Sequence, residues 1–403
     1  MAAITQGPSG GPVSHLRLER ARHQHQMRSN ASLRVQSLVR CVFAVVIALL
    51  GLVSAPGAHS LPFRVYLSAH SETFNLVAWE GRHLKDHGVA LVSSMMHAPE
   101  SDVEELYRIR EYLQAPRSSQ ADQRWDIERA IERQLAAVIM AQDIGNSLSL
   151  PVPGLFPPVA FRFTAPPSVL IVSPRDRLVV QQSLFLSPGV SGATIGEVEA
   201  RVAGLGVSPL ITPIGGLATY PAMVVESARP SDALASVAHE WAHAHLAFRP
   251  LGASYWSSQE GRAINETVAD LVGRELGADL SDRVGLPAPT ERMSASGDDV
   301  FRREMRATRA EVERLLASGE VDAAEAYMEQ RRQELSALGY RIRRLNQAYF
   351  AFHGSYAESS AGDDRIGSLV RGLRSRSSSL ASFVARVGEV QSVDELRKLG
   401  GAT

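Results

Sequence analysis

Hydrophobic and polar positions change their period along the chain. Pro99–Leu113 has the pattern of a helix capped by Ser101 or Asp102. A second helix is predicted from Ala121 to Ile144, where Ile127, Ile131, Leu135 and Val138 recur at helical spacing. Between Leu150 and Glu226 prolines, glycines and β-branched residues become frequent. SVLIVSP (168–174), RLVVQQSLFLSPG (177–189) and LATYPAMVVES (217–227) read as strands bounded by turn residues, and IGEVEARVAGLG (195–206) as a short helix among them. From Pro230 onward helices dominate: 231–248, 260–276, then a loop-like stretch at 284–299. Two long amphipathic helices follow, 300–317 and 321–352. The second carries Leu335, Leu338, Ile342, Leu345, Tyr349 and Phe352 as a core stripe. Short helices at 365–374, 378–388 and 393–399 close the chain. The pattern predicts an α+β fold with its helices concentrated in the C-terminal half.

The first 60 residues differ from the rest. Six arginines and a single acid, Glu19, precede an uncharged apolar run, Cys41–Val53, which is followed by SAPGAHS. This is the order of a secretory signal: basic, apolar, then small residues. The run is shorter than the ~20 residues of a typical spanning helix. It reads foremost as a cleaved export signal, then as an uncleaved membrane anchor, and last as a buried core helix; Met27 is an alternative start to Met1. The two leading readings place the chain after about residue 60 outside the cytoplasm, periplasmic or extracellular. The expected organisation is a signal or anchor segment at 1–60, a helical region at 61–149, a β-rich part at 150–228 and a helical part at 229–403.

Composition narrows the chemistry. With 403 residues the chain can bury a large core, and its net charge of -1 gives no field to attract nucleic acid. The single cysteine, Cys41, allows neither a disulfide framework nor a cysteine metal site. Any metal must be held by His, Asp and Glu.

His239-Glu240-Trp241-Ala242-His243 supplies such residues as H-E-x-x-H on an expected helix. Positions i and i+4 share a helix face, so both imidazoles can reach one ion. Glu240 then projects beside that ion, where a carboxylate can take a proton from water. The pentapeptide occurs by chance in about one per cent of chains of this length, so a second motif decides its weight. That motif is Asn265-Glu266-Thr267-Val268-Ala269-Asp270, 22 residues beyond His243. Asn265-Glu266-x-x-x-Asp270 resembles the second motif of the gluzincins, the superfamily of thermolysin and the neutral aminopeptidases. The resemblance covers about residues 230–276. It implies a zincin-like fold, with a small antiparallel-edged sheet packed on a mainly helical C-terminal part. It implies zinc (Zn2+) held by His239, His243 and Glu266, with Asp270 supporting His239 from behind, and Glu240 as general base. It also implies that an edge strand within Gly215–Glu226 pairs with extended substrate. The glycine and asparagine of the aminopeptidase G-x-M-E-N motif are missing, so aminopeptidase specificity does not carry over to Glu226. The metzincin pattern fails, because Leu246 and Arg249 stand at its glycine and third-histidine positions. His245 is not at i+4 from either ligand and reads as a supporting or surface residue.

Gluzincins stabilise the oxyanion with a Tyr or His beyond the third ligand. Here His353 and then Tyr356 are the candidates, while Tyr349 lies on the core stripe. The expected function is an exported zinc metallopeptidase acting on a peptide or protein substrate, with the membrane involved through residues 41–53 if that run is uncleaved. A non-catalytic zinc-stabilised envelope scaffold and a zinc hydrolase of a non-peptide amide or ester are the alternatives. The retained Glu240 speaks against the scaffold, since a purely structural metal site has no need of it. The sequence sets neither the substrate nor the oligomeric state.

Overall fold

The computed structural model describes residues 60–83, 88, 103–115, 122–144, 155–226, 229–289, 296–353 and 364–400. The apolar run 41–53 and the expected caps Ser101 and Asp102 lie outside these residues. No helix among the described residues is long and apolar enough to cross a membrane. The chain divides into two compact units, Met1–Arg64 and Val65–Thr403, with the boundary inside helix α1 (Leu61–Ala69). The larger unit is α+β.

Two three-stranded sheets organise it. In the first, β2 (Ser168–Pro174) pairs antiparallel with β3 (Gln182–Leu186) on one side and with β4 (Val207–Pro213) on the other. Helix α5 (Gly192–Ala203) connects β3 to β4, and the buried Glu199 accepts the Ile211 N–H of β4 at 2.7 Å. Arg343 and Arg344 neutralise that carboxylate. Only the second half of the expected strand 177–189 joins the ladder.

The second sheet has the order β1-β6-β5. Here β1 (Phe161–Phe163) runs parallel to β6 (Ala222–Val224), and β5 (Gly216–Leu217) is antiparallel to β6 with Gly216 opposite Val224. The single strand expected at 217–227 is therefore a hairpin. Its turn is closed by Thr219, whose hydroxyl donates to the Pro221 carbonyl at 2.7 Å. The outer edge of β1 is closed by a helix. Glu128 and Glu132 are one turn apart on α4 (Arg124–Ala141), and accept the Phe163 and Phe161 N–H groups at 2.7 and 3.0 Å. These are alternate residues of β1, so both N–H groups point away from β6. Arg162 lies 3.5 and 3.6 Å from the two carboxylates. Burial pushes Glu128 up to about 7, against the Phe163 N–H and Arg162, which pull it down.

The helical part packs on this second sheet. Pro250 starts α7 (Pro250–Ser257), between α6 (Pro230–Leu246) and α8 (Gln259–Val284). Ser258 caps α8 by accepting the Gly261 N–H, and Gly285, at φ 76°, ends it. The helix thus runs a further two turns past the Leu276 end that its sequence suggested. Gly277 does not break it, because that glycine serves a close contact. Helices α6 and α8 run antiparallel. A Cβ on Gly277 would lie 2.6 Å from the Ala235 Cα, and one on Gly273 would lie 2.8 Å from the His239 Cβ. Together with α3 (Val103–Gln114), α4, β1, β6 and the C-terminal helices α12 (Asp364–Ser375), α13 (Leu380–Val387) and α14 (Val393–Leu399), they enclose the largest hydrophobic core.

A further cluster lies between α9 (Ser296–Ala317) and α10 (Val321–Ala337). The continuous helix expected over 321–352 does not form. It ends at Ala337, where Gly339 takes a φ of 94° and the Tyr340 N–H returns to the Leu335 carbonyl at 3.0 Å. This is a Schellman-type stop, which needs a left-handed residue that glycine supplies without steric cost. Leu338 consequently leaves the stripe and is 65% exposed. Tyr349 and Phe352 belong to a separate helix, α11 (Gln347–His353), packed on β2 and β4. Likewise, α9 begins at Ser296, inside the expected loop 284–299.

Gly277→Ala should therefore destabilise the protein by about 1–3 kcal/mol, the usual cost of forcing atoms into a packed interface. Gly196→Ala, exposed on α5 with nothing within 4 Å of the added carbon, should stabilise it by about 0.5–1 kcal/mol. Denaturant titration checks both, and equal effects would mean that Gly277 is not a contact residue.

The fold holds the proton on Glu128 more tightly than the unfolded chain does. Its contribution is present below the unfolded pKa and is lost as pH rises through about 7. Wild-type stability should thus decline between pH 5 and 8, by up to about 3 kcal/mol from this group. Glu128→Gln should flatten the decline of melting temperature over that range. An equally steep decline in the variant would assign it to other groups.

Candidate metal centre

Helix α6 presents His239 and His243 one turn apart, and α8 brings Glu266 to them from the neighbouring helix. The two Nε2 atoms are 3.0 Å apart. Glu266 Oε2 lies 3.4 Å from His243 Nε2 and 3.7 Å from His239 Nε2. One donor atom from each residue falls within 4.8 Å of the others, a set that could hold a metal ion. The three residues singled out as ligands in the sequence are thus together.

The donors are also oriented from behind. His243 Nδ1 donates to Asn265 Oδ1 at 2.7 Å, which leaves Nε2 as the nitrogen free to bind an ion. His239 Nδ1 faces Asp270 Oδ1 at 3.8 Å, while Arg274 holds the other oxygen of Asp270 at 2.6 Å. Asp270 is therefore near its expected partner but beyond hydrogen-bond distance. Tyr255, on α7, donates its hydroxyl to Glu266 Oε1 at 2.9 Å, and its ring packs edge-on to His243 with centroids 5.9 Å apart. Sequence reasoning quoted Asn265 only as part of a motif and missed Tyr255. Pro250 at the start of α7 signals a helix there, but nothing local marks Tyr255 as a partner of Glu266.

Electrostatics follow from burial and proximity. Glu240 is 6% exposed, and burial pushes it up to about 8, although His243 acts in the opposite direction. Burial alone would lower His243, but the Glu266 carboxylate outweighs it and raises the imidazole to about 9. Burial would raise Glu266, yet His243, His239 and the Tyr255 hydroxyl hold it below the usual carboxylate range. A dication among these atoms would reverse the shifts of His243 and Glu240, because it repels the imidazolium proton and stabilises the carboxylate.

The sheet approaches the site at Gly216. A Cβ on Gly216 of β5 would overlap the carboxyl group of Glu240, with the Cδ atom only 2.8 Å away. The backbone of the edge strand and the Glu240 carboxylate are therefore neighbours.

The other expected residues have their own surroundings. Glu226, beyond the end of β6, is 3.5 Å from Arg124. His353 ends α11, where its ring packs against Tyr349 and Phe352 and burial lowers it to about 4. Tyr356 lies outside the described residues. His245 is buried beside Trp241 and lowered to about 4 by burial and by Arg249, so it is a core histidine rather than a surface one.

Two imidazoles and one carboxylate with a fourth position open are the donor set of a catalytic zinc site. Zinc titration of the full chain should therefore reach about one ion per molecule. Glu266→Ala should lose most of the affinity. Asn265→Ala and Asp270→Ala should each lose the ~10–100-fold typical of residues that orient a ligand. A Glu266→Ala protein that binds zinc as wild type does would remove Glu266 from the set.

Compared with protein-family models, curated proteins and solved structures, the chain gives no match.

Proposed function

We propose that the protein is a zinc-dependent peptide-bond hydrolase of the gluzincin kind, with a zincin-like catalytic unit. The observation that carries this reading is the convergence of His239, His243 and Glu266 beside a buried carboxylate, Glu240, that is not needed as a ligand. Zinc held there would polarise a carbonyl and acidify water. Glu240 takes the proton from the attacking water and returns it to the leaving amine. Asn265 fixes the tautomer of His243, and Tyr255 holds Glu266 so that Oε2 faces the histidines. An extended substrate adds to the backbone of β5 next to Glu240, a mode that reads main chain rather than side chains. His353, at the end of α11, and Tyr356, outside the described residues, are the candidates for the oxyanion donor.

Export belongs to the same reading. It rests on the basic, apolar and small-residue order of residues 1–60, which is the order of a signal or anchor segment. The scaffold alternative is disfavoured by Glu240: a structural metal site gains nothing from burying a further carboxylate, which costs stability.

Glu240→Gln tests the proposal. The amide keeps the shape of the side chain but cannot act as a base. Zinc content should stay at the wild-type level while peptide hydrolysis falls by at least ~10²–10⁴-fold. Both quantities should be measured on the same preparations with a broad peptide library. Undiminished turnover in the variant would rule out Glu240 as the base, and a wild-type protein that cleaves no peptide would favour the scaffold or a non-peptide substrate.

A further inference from the structure

Arg262 lies in the first turn of α8, one turn before Glu266 and hence on the same face of the helix. Its guanidinium stands over the Tyr255 ring, with Cζ 5.2 Å from the centroid. The hydroxyl of that ring donates to Glu266, and the ring itself packs on His243. One aromatic ring therefore separates the guanidinium from two of the three metal-binding side chains.

The electrostatic setting of Arg262 is unusual for this helix. Arg274 pairs with Asp270, and Arg283 donates to Gln134. Arg262 is half-buried, and its Nε is sealed from solvent with no hydrogen-bond partner among the described residues. A cation near a helix N-terminus also opposes the helix dipole. A buried, unmatched guanidinium N–H is costly, and the planar fork held by an aromatic face is the form that accepts a carboxylate through two parallel hydrogen bonds.

We propose that Arg262 binds a carboxylate of the substrate, and so selects peptides that carry one close to the bond cleaved. The inference rests on the peptidase reading for the word substrate. The anion could be the C-terminal carboxylate of the peptide or an acidic side chain. The guanidinium would take either, with Tyr255 as the common wall between anion site and metal site.

Binding separates this inference from the question of turnover. The full chain carrying Glu240→Gln, loaded with zinc, is titrated calorimetrically with three ligands. These are an N-acetylated tripeptide acid, its C-terminal amide, and the same amide with a terminal Asp residue. The acid or the Asp peptide should bind at least about tenfold more tightly than the plain amide; preference for the acid identifies the terminus and preference for the Asp peptide the side chain. Adding Arg262→Gln should bring the ratio to about one. Arg262→Lys, a point charge without the fork, should leave a reduced ratio, and decides the matter if the glutamine variant does not fold. The proposal is overturned if all three ligands bind alike, whether well or not at all, or if the preference survives unchanged in either variant. A carboxylate preference in a wild-type protein that cleaves nothing would overturn the peptidase reading and leave the anion site standing. Cleavage without any preference would do the opposite.

Discussion

The site depends on how closely two antiparallel helices approach. Glu266 meets the imidazoles of α6 across the contact between α6 and α8, and how closely such helices pack is set by the side chains at the contact. Gly273 and Gly277 make a close approach possible, because each meets the backbone of α6, at His239 and at Ala235. The same device recurs around the site. Gly252 lies against the Leu246 carbonyl and Gly261 against Ser254, which tucks α7 into the corner between the two long helices and carries Tyr255 to Glu266. Gly216 gives Glu240 the room that any other residue would fill. Each joint of the centre is a place where a side chain is missing.

Buried carboxylates elsewhere in the fold show what a structural role requires. Glu128 and Glu132 each accept a backbone N–H and share Arg162, and Glu199 accepts a backbone N–H beside Arg343 and Arg344. These groups satisfy main-chain donors that would otherwise be buried unpaired. Glu240 is set differently. Its neighbours are a histidine, another carboxylate and the bare backbone of a strand. Burial, with no backbone donor among the described residues to offset it, pushes this carboxyl group up to about 8.

What could be read from the sequence was local. The i, i+4 relation of His239 and His243 and the adjacency of Asn265 and Glu266 are properties of single helices, and the centre was legible for that reason. Two of the helix boundaries that differ from expectation do so at glycine. At Gly277 a residue that reads as a terminus is a packing contact, and the reason lies on another helix. At Gly339 the reverse holds: the apolar stripe runs through a residue whose left-handed backbone ends the helix, so Leu338, a core position by periodicity, is exposed. Periodicity could not show the reversal between β5 and β6, because a two-residue strand is too short to have a period. Tyr255 was invisible for another reason. Its role exists only because α7 is held against α8, a contact between segments that local pattern does not report.

The two edges of the second sheet are treated in opposite ways, and this bears on where a partner strand could go. An open edge is a hazard, since its unpaired N–H and C=O groups invite another chain. The fold closes the β1 edge with the side chains of α4, which occupy the two N–H groups facing away from β6. The sheet ends on its other side at β5, two residues long, beside the Glu240 carboxylate. A strand that short offers little to an aggregating chain, yet a few residues of extended peptide need no more. Under the proposed function, an extended peptide adding to β5 would lie beside the Glu240 carboxylate. Specificity would then have to come from side chains rather than from the strand itself, and the Arg262 guanidinium over the Tyr255 ring is the group we propose for it.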